Sequence, residues 1–419
     1  MWDADVAVVG GGAAGLSLAA RLTDLRDGPS VVLVDAPAGP LTPPERTWCY
    51  WEEPGGRWDD LLTARWDRLR ITGADGGRTT VAAAPFQYKM LRSDRLRDAV
   101  HARLRDAGHA RVEAAVGAVR DLPDGGAEVT GADAAGRPVR LRARWAFDSR
   151  PPPRPRPART ALLQHFRGWF VRTAAPAFDP AAADLMDFRT PQPAHGLSFG
   201  YVLPLGPCEA LVEYTEFGRA PLTTAAYDAA LHRYTEEVLG LGPPGLVPGP
   251  GSPGFTVTAT EQGVIPMTDA LLPRRTGRAV FPVGAAGGAT RPSTGYTFAA
   301  TQRQTRAVAR ALGRGRVPLP PPPYPARSIA MDAVMLRALD TGRVAGDAFF
   351  TGLFRGVRTE RLLRFLDGRT RWWEDVLIGF STPVGPMLRT AAELPRLRRV
   401  LPAGPPPPPG DPRPAATTP

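Results

Sequence analysis

The feature that most restricts the fold lies within the first 35 residues, where an apolar strand runs into a glycine-rich turn, a helix and a second strand. Residues 5–9 alternate and then fill with valine, as a strand buried on both faces does. Gly10-Gly11-Gly12-Ala13-Ala14-Gly15 follows and opens an Ala/Leu-rich helix that ends near Leu25. Residues 31–34 form the next strand, which closes on Asp35, twenty residues beyond Gly15. These glycines fit G-x-G-x-x-G, in which the first allows a tight turn, the second lets backbone approach a pyrophosphate and the third lets the helix pack on the strand. The helix N-terminus then faces the phosphates, and the Asp35 carboxylate can accept ribose hydroxyls. This βαβ unit predicts an α/β chain with a dinucleotide held at Gly10, Gly12, Ala13, Ala14, Gly15 and Asp35.

A second glycine-rich segment, Gly284-Ala285-Ala286-Gly287-Gly288, follows the short apolar strand of 279–283 and precedes a helix of about 296–312. NAD domains lack such a return, so the expected cofactor is FAD. In flavoproteins of the hydroxybenzoate-hydroxylase type the later loop turns backbone N–H groups toward the cofactor, here from Gly284 and Gly287. Pro292-Ser293-Thr294-Gly295 would then open a helix toward the flavin ring, with Thr294 and Gly295 among its contacts. The cofactor set also takes in Val116, within the strand-like 112–119, and Asp148, where the 139–147 strand ends. The fold class expected is therefore FAD-binding Rossmann-like, of the glutathione-reductase/hydroxybenzoate-hydroxylase type, with a β-sheet substrate domain and a helical C-terminal region. One departure is Ala285, which follows Gly284 where redox members of that superfamily commonly carry Asp. It speaks against a hydroxylase-like use of the flavin.

At 419 residues the chain exceeds a single core. Residues 1–150 read as the first part of the FAD-binding domain, ending before the proline-rich run of 151–157. Residues 151–275 carry strand-like segments at 168–173, 199–205 and 210–214, as a substrate sheet would. Residues 276–316 close the FAD-binding domain, 317–400 form a helical region after the polyproline stretch of 318–323, and 401–419 read as a disordered tail. A net charge of +11 invites a nucleic-acid partner, but Lys89 is the only lysine and the arginines are spread along the chain, so no nucleic-acid arm is expected. Two cysteines, Cys49 and Cys208, provide no disulfide framework or CxxC metal site, and no metal is expected. No stretch reaches the roughly 18 apolar residues of a membrane span, and residues 1–9 lack a secretion signal.

Further motifs give the chain a family. Thr47-Trp48-Cys49-Tyr50-Trp51, Met186-Asp187-Phe188-Arg189, Tyr201-Val202-Leu203-Pro204-Leu205, Leu211-Val212-Glu213-Tyr214-Thr215, Gly263-Val264-Ile265-Pro266-Met267 and Arg291-Pro292-Ser293-Thr294-Gly295-Tyr296 occur in this order. From about residue 3 to about 385 the chain resembles the flavin-dependent lycopene cyclases of carotenoid synthesis, and Pro-Ser-Thr-Gly-Tyr is the most telling motif. The resemblance implies an isomerase: the acyclic ends of lycopene close to β-ionone rings, through γ-carotene to β-carotene, without net oxidation. It implies reduced FAD, with NADPH or NADH as electron source, and contact with other enzymes of carotenoid synthesis. The rival readings are a monooxygenase or prenyl reductase of the same fold, or a carotenoid-binding flavoprotein without catalysis. Whether β or ε rings form, and one ring or two, depends on pocket shape that spacing does not show.

Cyclisation starts when an acid protonates the terminal C1=C2 bond and the C5=C6 bond attacks the resulting cation; loss of the C6 proton then gives the β ring. Alkenes are weak bases, so the donor must be a carboxyl kept protonated in a dry site. Glu213 lies on an apolar strand and matches the acid position of the family motif, and Asp187 and Arg189 are candidates for a polar network near it. Glu261, ahead of Gly263, is another open candidate. Aromatic faces can stabilise the cation, with Trp48, Tyr50, Tyr201 and Tyr296 as the substrate set beside Trp51 and Phe199. The substrate dissolves in lipid, so a peripheral place on the inner face of the cell membrane is expected. The docking surface expected there is made of Phe349, Phe350, Leu353, Phe354, Leu362, Leu363, Phe365, Leu366, Trp372 and Trp373, interleaved with arginines.

Overall fold

The computed structural model describes residues 2–152, 154–242, 245 and 253–402, so most of the tail expected from 401 lies outside the described residues. The opening unit forms as its pattern requires: strand β1 (Ala4–Val9), helix α1 (Ala13–Leu22) and strand β2 (Val31–Asp35). There follow β3 (Thr47–Glu52), β4 (Ala64–Trp66), β5 (Arg68–Thr72), β6 (Arg78–Ala82), β7 (Gln87–Arg92) and α2 (Ser93–Asp106). Next come β8 (Ala110–Glu113), β9 (Ala115–Asp121), β10 (Ala127–Ala132) and β11 (Pro138–Asp148). The first sheet runs β8-β2-β1-β11-β10-β9, with β1 parallel to both β2 and β11. Its central strands are apolar and buried on both faces, as parallel strands between helices are.

Long antiparallel strands then build a second sheet: β12 (Ala161–Thr173), β13 (Ala182–Asp187), β14 (Leu197–Gly206), β15 (Glu209–Gly218) and, after α3 (Thr224–Arg233), β16 (Phe255–Thr268). Its order is β16-β12-β15-β14-β13-β5-β6, so two strands from the N-terminal part of the chain extend it. Between the two sheets lies a small third one, β3-β7-β4. There Lys89 is fully buried, its ammonium 2.6 Å from Asp59 and 2.9 Å from the Glu53 carbonyl.

Strand β17 (Val280–Pro282) returns to the first sheet beside β11, and α4 (Phe298–Leu312) packs on α1. Polar side chains bind the two helices where both are buried: Arg21 donates to Gln302 at 3.0 Å and to Thr305 at 3.2 Å, and Gln302 donates to Ser17 at 2.7 Å. Five helices complete the described chain: α5 (Ala326–Asp340), α6 (Gly346–Gly356), α7 (Thr359–Leu366), α8 (Trp372–Gly379) and α9 (Val384–Glu393). Their apolar residues join those of the second sheet in one core. Among the described residues no helix is long and apolar enough to cross a membrane.

Candidate functional site

The C-terminal ends of β1, β2 and β11 form the first part of the site, where ligands sit in open α/β sheets. Gly10 turns the chain there with φ +99°, a conformation that favours glycine, and donates to Val34 O at 2.8 Å. A β-carbon at Gly15 would lie 1.9 Å from Gly10 O, whereas one at Gly12 would meet nothing within 4 Å. Gly15 thus serves helix packing, and Gly12 borders open space at the N-terminus of α1, with Ala13 and Ala14 in its first turn. Asp35 stands at the end of β2 and accepts from Gly11 N at 2.9 Å. Asp148 ends β11 and is clasped by Arg150, at 3.0 Å from Nε and 2.8 Å from Nη2; the same guanidinium donates to Val116 O. Arg150 therefore joins two expected cofactor residues, a part that the sequence reading gave it no hint of.

The returning segment meets this mouth. Gly284, at φ +65°, packs so closely on α1 that a β-carbon would come within 2.5 Å of Ala14 Cβ. The buried amide of Gly284 donates to Gln304 Oε1 at 2.8 Å, and Gln304 Nε2 donates to Gly287 O at 3.3 Å. Further along, Gly295 adopts φ +71° against Gln164 of β12. Buried Thr294 Oγ1, Thr301 Oγ1 and Gln164 Oε1 have no hydrogen-bond partner within the protein. A cradle of glycines at one end and unpaired buried polar atoms at the other fit an extended dinucleotide such as FAD.

Tyr296 leads from there into a cluster of aromatic side chains on the second sheet. The Tyr88 hydroxyl is 2.5 Å from that of Tyr201 and 2.9 Å from that of Tyr296. Trp51 meets Tyr296 edge-on at 4.5 Å. Tyr201 lies directly across from Glu213, and period-two alternation puts both on the face that carries Leu203, Leu211 and Phe217. Glu213 is only 7% exposed. Burial pushes its carboxyl well above the usual carboxylate range, and the neighbouring carboxyl of Glu261 pushes the same way. Burial likewise raises Cys49, Tyr88, Tyr201 and Tyr296, so the walls around the acid stay neutral.

Not every expected site residue gathers there. Asp187 accepts from its own neighbour Arg189 at 2.6 and 2.9 Å and from Tyr234 OH at 3.0 Å. Tyr234 belongs to the apolar cluster of Trp169, Val212 and Tyr214, on the opposite face of the sheet from Glu213. Asp187 and Arg189 therefore form an ion pair away from the acid and not a network beside it. Trp48 and Tyr50 point the other way along β3, stacking on Phe298 of α4 at 5.7 and 4.5 Å.

The helical region also differs from the surface expected of it. Phe349, Phe350, Leu353, Phe354, Leu362, Leu363 and Leu366 are buried, and Phe365 packs against the same core. Of that surface Trp372 and Trp373 do stand out, 70% and 40% exposed, and the other exposed apolar side chains lie along α8, α9 and the turn between them: Val376, Leu377, Phe380 at 71%, Val384 and Leu388. There Arg358, Arg361, Arg364 and Arg371 line a surface pocket together with Glu360, Trp373 and Glu374, and it shares no residue with the cluster around Glu213.

Solved structures of low identity share the fold. A triple mutant of the flavin-dependent brominase Bmp2 superposes with a TM-score of 0.59 at 12% identity, over 92% of this chain and 100% of its own. The p-nitrophenol 4-monooxygenase PnpA from Pseudomonas putida DLL-E4 gives 0.55 at 17% identity, over 94% and 99%. A geranylgeranyl bacteriochlorophyll reductase-like protein from Thermoplasma acidophilum gives 0.54 at 14% identity, over 93% and 96%. The fold is thus the FAD-binding Rossmann-like class that the two glycine segments predict. No curated protein matches the sequence significantly. A match to the family described as lycopene cyclase protein spans residues 5–392, and with it the chain takes its place as a member of the lycopene cyclase family.

Proposed function

We propose that this protein is a lycopene β-cyclase, which closes the acyclic ends of lycopene to β-ionone rings, through γ-carotene, by acid catalysis without net redox change. The observation that carries the reading is Glu213: a buried carboxyl on the aromatic face formed with Tyr201, Tyr88 and Tyr296. Burial raises such a carboxyl, so it holds its proton to higher pH than an exposed one and can donate it. Protonation at C2 by Glu213 makes a tertiary cation. The ring faces around the acid would stabilise it by roughly 0.5–2 kcal/mol each, and the neutral Cys49 thiol is a poor trap.

FAD would be held by Gly10, Gly12, Ala13, Ala14, Gly15 and Asp35 at its pyrophosphate and ribose end, with Val116 and Asp148 alongside. Gly284, Gly287, Thr294 and Gly295 would hold it toward the aromatic cluster. The chemistry supplied by the reduced cofactor is electrostatic, an electron-rich ring beside a developing cation, with NADPH or NADH as the electron source. Lycopene lies in lipid, and the apolar face of α8 and α9 beside the arginine pocket suits docking on the inner, anionic surface of a cell membrane.

Expression in cells that accumulate lycopene, followed by chromatography of the pigments, tests the reading. The wild-type chain is expected to convert lycopene to β-carotene. Glu213→Gln is expected to leave lycopene unchanged while retaining its flavin. Unconverted lycopene beside flavin-loaded wild-type protein, or ring formation by the Gln variant, would overturn it.

A further inference from the structure

Two glutamates meet over one glycine. Gly168 of β12 is in register with Glu213 of β15 on one side and with Glu261 of β16 on the other. Residues directly opposite each other share a face of the sheet, so both carboxylic side chains rise from the same surface, one on each side of a position without a side chain. The strands they stand on are about 10 Å apart, two strand spacings, and side chains leaning inward close that gap. A β-carbon at 168 would lie 2.7 Å from Glu213 Cγ and 3.3 Å from its Oε1, so the glutamate occupies the space over the glycine. Its carboxyl reaches that of Glu261 there.

Glu261 is tied down from its other side. Its Oε2 accepts from Thr47 Oγ1 at 2.7 Å and from Arg92 Nη1 at 3.3 Å. Arg92 is fixed in turn by Glu45 at 2.8 Å and by the ring of Phe170, 4.7 Å away. A guanidinium and a hydroxyl on one oxygen suit an anion. Burial and the Glu261 charge both favour the protonated form of Glu213, so the proton of the pair rests there.

We infer that Glu261 is the positioning partner of Glu213: it keeps the donor loaded and brings the proton back after each ring closure. The inference rests on the reading of Glu213 as the acid. When the Glu213 O–H bond breaks and C2–H forms, two adjacent anions face the cation. The C5=C6 pair makes the C1–C6 bond, the C6–H bond supplies the new C5=C6 pair, and its proton returns to the carboxyls. Atoms and electrons balance, and the pair ends each turnover as it began.

The other groups facing Glu213 are Cys49 of β3, Tyr201 of β14 and Tyr296 ahead of α4, with Tyr88 of β7 bridging the tyrosines; all remain neutral. Arg92 and Glu45 are the charged groups around Glu261. The test is the pH profile of the purified, flavin-loaded full chain on lycopene in lipid vesicles. Activity needs Glu213 protonated and so falls as pH rises; without the Glu261 anion the proton leaves at lower pH. Glu261→Gln is expected to move the alkaline limb down by on the order of one pH unit, with kcat lowered and KM unchanged. Gly168→Ala, which separates the carboxyls and keeps both of them, is expected to move it the same way, and carries the test should the Gln variant fail to fold. An unmoved limb in folded Glu261→Gln, or in Gly168→Ala, overturns the pair while an inactive Glu213→Gln leaves the acid in place. Ring formation by Glu213→Gln would instead remove the acid reading itself.

Discussion

Replacing Arg291 by Met is expected to cost the fold about 3–5 kcal/mol, far more than an exposed arginine would. Arg291 is fully buried at the head of the Pro-Ser-Thr-Gly-Tyr turn. Its Nε and Nη2 donate to Asp332 of α5 at 3.0–3.2 Å, and Nη1 donates to the Phe365 carbonyl at the end of α7. Met fills most of the volume but strands a carboxylate that is itself only 3% exposed. At about 1.4 kcal/mol per factor of ten, the folded-to-unfolded ratio should fall by roughly two to three and a half orders of magnitude. Urea unfolding followed by tryptophan fluorescence reads this directly. Burial already pushes Asp332 up, with Arg291 opposing it. Without Arg291 the carboxyl titrates higher still, so the deficit should shrink as pH falls and Asp332 takes a proton. The double variant Arg291→Met/Asp332→Leu should recover most of the loss, because no charge is then left buried alone. A double variant as unstable as the two single losses added together would show that the pair is not coupled, and the reasoning would fail.

Two further outcomes check the cofactor and membrane assignments. Gly12→Ala should keep its urea midpoint, since the added methyl meets no protein atom, while flavin affinity measured by fluorescence quenching falls about tenfold or more through lost backbone approach; unchanged affinity would remove Gly12 from the cofactor set. Trp372→Ala/Phe380→Ala should abolish most sedimentation with anionic phospholipid vesicles at unchanged stability, whereas undiminished sedimentation would move the docking surface elsewhere.

The first sheet and its closing segment were legible because their signals are local: a strand, three glycines and a helix within a few residues, then a strand, the glycines from Gly284 and a helix again. Glu213 was legible through its motif and apolar strand. Glu261 stood there only as an open candidate, because its meeting with Glu213 over Gly168 requires the register of three long strands. Tyr88 was missed for the same reason, its two hydroxyl neighbours lying 113 and 208 residues away. Arginines interleaved with aromatics read as a membrane face from 349 to 373, yet most of the aromatics turned inward. Trp372 and Trp373 are the exceptions, and of the interleaved arginines Arg364 pairs with Glu374 at 2.8 Å. Asp187 and Arg189 looked like partners of the acid because the sequence carries no record of which sheet face a strand end presents.

The burial of Lys89 between Asp59 and the Glu53 carbonyl has a practical side. Apart from the terminal amine, the folded chain offers succinimidyl esters no primary amine to react with. Acylation of that one ammonium therefore requires the contacts that bury it to open, and its rate is a chemical clock for that local opening.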